Sequence, residues 1–483
     1  MSESLKHKTV KGVSWSFVDS ISSQGITFLV GLVLARLLTP EDYSLLGIIL
    51  IFVSVFNSIV DSGFSNALIR KNNATDADYN TVFVSNLGIS IILCAALFFL
   101  SPLIAAFFDR PPLTGLLKVM SFIIIINAFA IIQRTILVKK IDFKTQTKVS
   151  IISSVSSGIV GIYMAVSGYG VWSLVGQQLS RQGLNTLFLW IYSKWYPRFQ
   201  FSLRSFQELF GFGWKLLVSG MIATIWRELY LVVIGKFYAP ATLGQYTRAQ
   251  QFASIFSSNL TSVIQRVSYP ILSSIQDDKT RLKDAYKRII KVSMLPTFVL
   301  MIGMAGCAKS MIQVMVGDQW LPAVPFLQII CFQMMLYPLH SLNLNMLQVE
   351  GRSDLFLRLE IIKKILDIIP VLFGIFVGIY WMLIGSVFTG MASYYLNAYY
   401  SGPMIGYSIR EQIMDILPSF GIALLMGLTV YGMSFIPISP FLLFPIQIIV
   451  GSTIAIAISK RLELPEYLEI EAIVLKAITK VNR

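Results

Sequence analysis

Histidine is nearly missing from this chain: its 483 residues hold two, His7 at the start and His340 far from it. Cysteine is almost as scarce. Cys94, Cys307 and Cys331 each lie inside an apolar run with no pairing pattern, so a disulfide framework and a thiolate metal cluster are both excluded, and the three read as packing residues. No HExxH, GxSxG or GxxxxGK[ST] occurs, which removes zinc hydrolysis, the serine nucleophile elbow and ATP hydrolysis by a P-loop. Charge is thin too, at 13% of residues, against 55% hydrophobic residues and a mean hydropathy of +0.70. Such a chain cannot clothe a soluble globule. It reads as an all-α polytopic membrane protein.

A bilayer span takes about 20 mostly apolar residues. On that measure about fourteen candidate helices lie between residues 11 and 459, joined by short loops. The first is polar-flecked and has no small-residue cleavage site, so it reads as an uncleaved span. A net charge of +14 would ordinarily raise nucleic acid as a partner. Here the basic residues sit in loops on alternate sides, and no nucleic-acid partner is expected. With the N-terminus inside, one side collects Lys6 to Lys11, Arg70 and Lys71, Lys139 to Lys148, Lys194 to Arg204, Lys279 to Lys291, Arg352, Arg358, Arg410 and the bases from Lys460 onward. The other side holds Arg36, Arg110, Lys118, Lys236 and Arg248. That bias implies an even number of spans with both termini cytoplasmic. Outer loops are tiny. The acidic pair Glu41-Asp42 at one of them reads as a helix N-terminus, not a catalytic pair.

A passage from Gly12 to Leu46 returns about 200 residues later. Ala35-Arg36-Leu37 matches Gly235-Lys236-Phe237, Pro40 matches Pro240, Ser44 matches Gly244, and Trp15 and Trp214 precede their basic residues at nearly equal distance. Both copies begin inside and emerge outside. The expectation is therefore two six-helix lobes in the same orientation, related by a pseudo-two-fold along the membrane normal, plus two extra C-terminal helices. The boundaries read as 1–193 for helices 1–6, 194–208 for a basic, aromatic interfacial linker, 209–404 for helices 7–12, 405–460 for helices 13–14, and 461–483 for an amphipathic cytoplasmic tail.

Charges inside apolar runs point to function, because a cation at mid-membrane costs on the order of 2.5–3.5 kcal/mol by insertion scales. Arg134, Arg181, Arg227 and Arg266 are such cations; Lys215 lies nearer a helix end. Gln177, Arg181 and Asn185 share one helix face, with Gln178 and Gln182 beside it, and a second polar stripe runs from Gln250 to Gln265. Asp19, Asp61 and Glu228 are intramembrane acids. The structural alternative is interhelical hydrogen bonding, which suits the Ser and Thr residues. For the arginines the expectation is a hydrated cavity between the lobes. Guanidinium groups match phosphate, and amides and hydroxyls match sugars, so the cargo expected is anionic and hydroxyl-rich. The acids would then be candidates for H⁺ or Na⁺ coupling. No metal site, catalytic residue or organic cofactor is expected.

The segment GVSWSF…LVLARLLTPEDYSLLGIILIFVSVFNSIVDSGFSNALIRK resembles the opening of bacterial polysaccharide-biosynthesis membrane proteins, the O-antigen and colanic-acid type flippases. These belong to the multidrug/oligosaccharidyl-lipid/polysaccharide exporter superfamily. FGFGWKLLVSG…LVVIGKFYAPATLGQYTRAQQ resembles the start of that family's second lobe. The resemblance spans roughly residues 8 to 405. It implies a multi-pass protein of the bacterial inner membrane that is not an enzyme. It also implies alternating access and export of undecaprenyl-pyrophosphate-linked repeat units, with membrane lipids and other polysaccharide-assembly proteins as partners. Lipid II flippases of the superfamily carry cavity arginines in helices 1, 2 and 8. This sequence has Asp19 and Asp61 in helices 1 and 2, and only Arg266 corresponds by helix, which weighs against lipid II as cargo. A multidrug or cation antiporter would need an acidic, aromatic cavity, and a glycan polymerase or glycosyltransferase a sizeable outer loop. The arginine excess and the tiny loops argue against each.

Overall fold

A segment that crosses lipid must satisfy every peptide group internally, which leaves the helix as the local solution for apolar runs of this length. The computed structural model describes residues 3–61, 63–71 and 73–481; among these, the side chains of 3–14, 16–18, 20, 21, 263, 266, 267, 269, 270, 353, 473, 474 and 476–481 lie outside the description. Among the described residues there is no strand.

The first part of the chain folds as α1 (Glu3–Leu37), α2 (Pro40–Asp61), α3 (Phe64–Arg70), α4 (Asp76–Phe107), α5 (Leu113–Met120), α6 (Phe122–Lys139), α7 (Phe143–Val166), α8 (Trp172–Ser193) and α9 (Leu203–Phe237). Next come α10 (Pro240–Ser274), α11 (Lys279–Gly306), α12 (Ala308–Met315), α13 (Ala323–Met334), α14 (Tyr337–Val349), α15 (Ser353–Leu366) and α16 (Ile368–Phe376). The chain ends with α17 (Ile379–Ile405), α18 (Ile409–Met433), α19 (Pro440–Arg461) and α20 (Pro465–Val481). Each of the fourteen expected spans corresponds to one of these helices or to a consecutive pair. Among the described residues, nine stretches are long and apolar enough to cross a membrane by length and composition alone. The others are α1, whose apolar part Ser22–Leu37 is shorter, α8, α10 and α17, which are diluted by polar or tyrosine residues, and α15–α16, which carries Glu360, Lys363, Lys364 and Asp367.

Two compact units emerge, Met1–Gly244 and Gln245–Arg483. The reading from sequence ended the first lobe at residue 193 and gave 209–404 to the second. By compactness α9 falls in the first unit, where it packs along α2 and α3. Segment 194–202 is also fastened to that unit. The Arg198 amide donates to Asn80 Oδ1 at 2.8 Å and the Ser202 amide to Thr81 Oγ1 at 3.0 Å, while Trp195 and Phe199 pack edge-on against Phe83.

Inside the first unit, α7 turns Ser153, Ser154, Ser157, Gly158, Gly161 and Ala165 inward, and this small-residue face lets α1 and α8 come close. The side chain of Val30 covers Gly158, and Gln177 and Leu34 cover Gly161. Glu41 and Asp42 do open a helix: Asp42 accepts the Thr39 amide at 3.0 Å and Thr39 Oγ1 accepts the Asp42 amide at 3.3 Å. In the second unit α11 and α18 form the central pair, and Gly306 lies directly against the Gly427 carbonyl. The basic first half of α11 is held by acids. Lys279 pairs with Glu350, Lys283 with Glu411, Lys287 with Asp415, Arg288 with Glu469 and Lys291 with Glu466. Two of those acids belong to α20, so the tail docks through its acidic first turns.

Candidate functional site: the charged core of the first unit

Four of the intramembrane charges lie within electrostatic range of one another inside the first unit. Asp19 comes from α1, Asp61 ends α2, Arg134 lies in α6 and Arg181 in α8. The Asp19 carboxylate has the Ser150 hydroxyl of α7 in hydrogen-bonding reach and lies in the field of both arginines. Arg134 also feels Asp61. Ser65 donates to Asp61 Oδ1, which fixes that carboxylate against α3. Asp19 Oδ1 is buried and receives no hydrogen bond among the described residues.

None of these four groups closes into a direct ion pair within 4 Å among the described residues. Among the described residues, Arg134 Nη2 donates to Asn185 Oδ1 at 3.4 Å, and the Arg134 backbone carbonyl accepts from Gln146 Nε2 at 3.4 Å. Arg134 keeps an exposed surface although protein crowds it, as a side chain lining a recess does. Arg181 is half-buried. The core thus combines two acids with two arginines, guanidinium N–H groups left unengaged among the described residues, and one buried carboxylate oxygen without a donor.

A ladder of amides runs beside the charges. Asn127 Nδ2 donates to Asn57 Oδ1 at 3.0 Å, Gln182 Nε2 donates to Asn127 Oδ1 at 2.9 Å, and Thr186 donates to the Ile126 carbonyl. It ties α2, α6 and α8 together and sets the faces that carry Arg134, Arg181 and Asn185. Asn57, Asn127, Ser65 and Ser150 were not singled out from sequence. Asn127 had a usable signal, a lone amide within the run Phe122–Ile132; Ser65 and Ser150 had none.

The remaining expected residues lie elsewhere. Gln177 packs its stem on Gly161, and Gln178 is half-buried on the same helix. In α9, Lys215 is exposed, while exposed Arg227 pairs through Nε with buried Glu228 at 3.1 Å, so this cation is matched by its neighbouring acid. Gln265 of α10 is exposed, and the Arg266 side chain lies outside the described residues. Among the described residues no group of three or more His, Cys, Asp or Glu side chains is placed to hold a metal ion.

This fold defines a polytopic, all-helical membrane protein with a charged core in its first unit. A family model described as polysaccharide biosynthesis protein matches residues 33–325, more than half of the sequence, and the chain belongs to that family. It is 26% identical over 354 residues to the teichuronic acid biosynthesis protein TuaB of Bacillus subtilis, covering 73% of each chain. It is 24% identical over 448 residues to the lipopolysaccharide biosynthesis protein WzxC of Escherichia coli, covering 89% of each. Among solved structures, the lipid II flippase MurJ in an inward closed conformation superposes with a TM-score of 0.75 at 16% identity, over 94% of this chain and 98% of that one. The last likeness speaks for the fold.

Proposed function

We propose that the protein is a flippase that moves lipid-linked oligosaccharide units across the bacterial cytoplasmic membrane for surface polysaccharide assembly, and that it catalyses no covalent chemistry. One observation carries the reading: Arg134 is accessible, bonded to Asn185 and, among the described residues, in no ion pair with a carboxylate, in a core where Arg181 stands as a second cation. The cargo's pyrophosphate would bind these guanidinium groups, and the amides of Gln182 and Asn185 would meet its sugars. Names of the relatives, which concern teichuronic acid and lipopolysaccharide biosynthesis, support a polysaccharide cargo. Asp19 and Asp61 would draw the arginines back once the phosphate leaves, and Asp19 Oδ1 would take up the coupling H⁺ or Na⁺. Glu228, neutralised by Arg227, is the weaker coupling candidate. Both termini face the cytoplasm in this reading, and the cavity opens alternately to each side.

The test is export in cells lacking their own flippase and making the cognate glycan. A hydrogen bond to a charged group contributes about 1.5–3 kcal/mol. Arg134→Gln should therefore cut surface polysaccharide by about tenfold to a hundredfold, with lipid-linked units accumulating inside. Wild-type export by Arg134→Gln and by Arg181→Gln, at normal protein level, would overturn the assignment.

A further inference from the structure

A separate groove opens on the second unit, between the last turns of α17 and the first turns of α18. Its volume is about 520 Å³, within the range of small-molecule sites. Tyr395, Ala398 and Tyr399 form one wall, and Ile413 and Met414 the other; the two tyrosine rings stack with centroids 6.2 Å apart. One charged side chain lines it, Arg410, at the rim.

The charges around Arg410 are already spent on other partners. Glu411, its neighbour in sequence, pairs with Lys283 at 3.2 Å and accepts the Ser408 amide at 2.9 Å. Asp415 pairs with Lys287 at 3.0 Å and accepts from the Tyr407 hydroxyl at 2.8 Å. Arg410 is exposed and makes no hydrogen bond or ion pair among the described residues. The rim therefore carries one unneutralised positive charge above an apolar, tyrosine-faced slot. It lies at the end of α17 and α18 where the basic half of α11 also lies. Tyrosine at a helix end and a basic pocket between helices are the features of headgroup depth in a bilayer.

We infer that this groove is a binding site for an anionic phospholipid of the cytoplasmic leaflet, the orientation being that of the proposed function. One acyl chain lies along Ala398, Tyr399, Ile413 and Met414, and the phosphate meets Arg410. The slot takes one chain and offers a single cation and few polar groups, so it suits a resident membrane lipid and not a glycan-bearing cargo.

The experiment is native mass spectrometry of the full-length protein in detergent, with phosphatidylglycerol, phosphatidylcholine or undecaprenyl phosphate added separately and in competition. Wild type should retain phosphatidylglycerol over phosphatidylcholine by about fivefold. Arg410→Gln should erase that preference, and Met414→Trp, which fills the mouth at an exposed position, should reduce both lipids. Equal retention of the two phospholipids, or a preference that survives both variants, would overturn the inference. So would displacement of phosphatidylglycerol by equimolar undecaprenyl phosphate in wild type but not in Met414→Trp, because the groove would then belong to the cargo lipid. Export is read separately, and failure of the Arg134 test leaves this result standing.

Discussion

Of the two acids that dock α20 on α11, Glu466 is the buried one. Glu466 is fully buried; Lys291 Nζ lies 3.3 Å from Oε2, and the Ser419 hydroxyl donates to Oε1 at 2.9 Å. Changing Lys291 to Met leaves the carboxylate desolvated with Ser419 alone, which costs about 3–5 kcal/mol. For a unit the size of Gln245–Arg483, each kcal/mol moves a melting midpoint by about 2–4 °C. The expected drop is thus about 6 to 20 °C. Glu466→Gln keeps an acceptor for Ser419 and leaves a lysine that is 22% exposed and still reaches water. Its loss should be much smaller, about 1 kcal/mol. The double variant Lys291→Met, Glu466→Leu replaces the pair by apolar groups and should return close to wild type. Fluorescence-detected melting in detergent measures all three. If Lys291→Met loses no more than Glu466→Gln, or if the double variant is the least stable, the reasoning fails.

Gly63 sits at φ +69°, and a Cβ there would come within 2.5 Å of the Gly213 carbonyl oxygen on α9. Gly63→Ala therefore adds about 1–2 kcal/mol of left-handed strain to a backbone clash, and limited proteolysis should cut the first unit faster than wild type. Asn127→Leu removes both rungs of the amide ladder at a cost of about 0.6 kcal/mol each. It should leave the protein folded in a melting assay while lowering export by disturbing how α6 and α8 present Arg134 and Arg181. The Lys236 ammonium, hydrogen-bonded at 2.8 Å, holds the Asp109 carboxyl below its ordinary range. A depressed folded-state value means the contact helps above the ordinary carboxylate range and is lost as pH falls through the lowered value. Asp109→Asn should accordingly flatten the acid limb of a pH–stability curve and change nothing at pH 7 beyond a small surface-pair loss.

Helix positions were legible in the sequence because apolar run length maps directly onto span length, and even the broken pair α15–α16 falls inside one expected span. Asp19, Asp61, Arg134 and Arg181 were legible for a related reason: a charge in an apolar run needs a partner or water. Which charges meet was not legible. That depends on the rotation of α6 against α8 and of α1 against α7, set by the Asn57–Asn127–Gln182 ladder and by the small face of α7, whose residues have no individual signature. Basic loops were read for their sidedness alone. The structure adds that the basic half of α11 is partnered along its length by Glu350, Glu411, Asp415, Glu466 and Glu469, a pairing that spans over 180 residues of sequence and leaves no local trace. Arg227 shows the converse. Its mid-membrane charge looked available, and the acid that neutralises it was the next residue.

The passage from one compact unit to the other carries a mechanical consequence. The boundary at Gly244 and Gln245 falls inside α10, a rod of 35 residues and about 50 Å, and segment 194–202, the natural candidate for a slack tether, is bolted to α4. A helix of that length is a lever: a small bend near its Pro240 end, just after the extended residue Tyr238, is magnified toward Ser274.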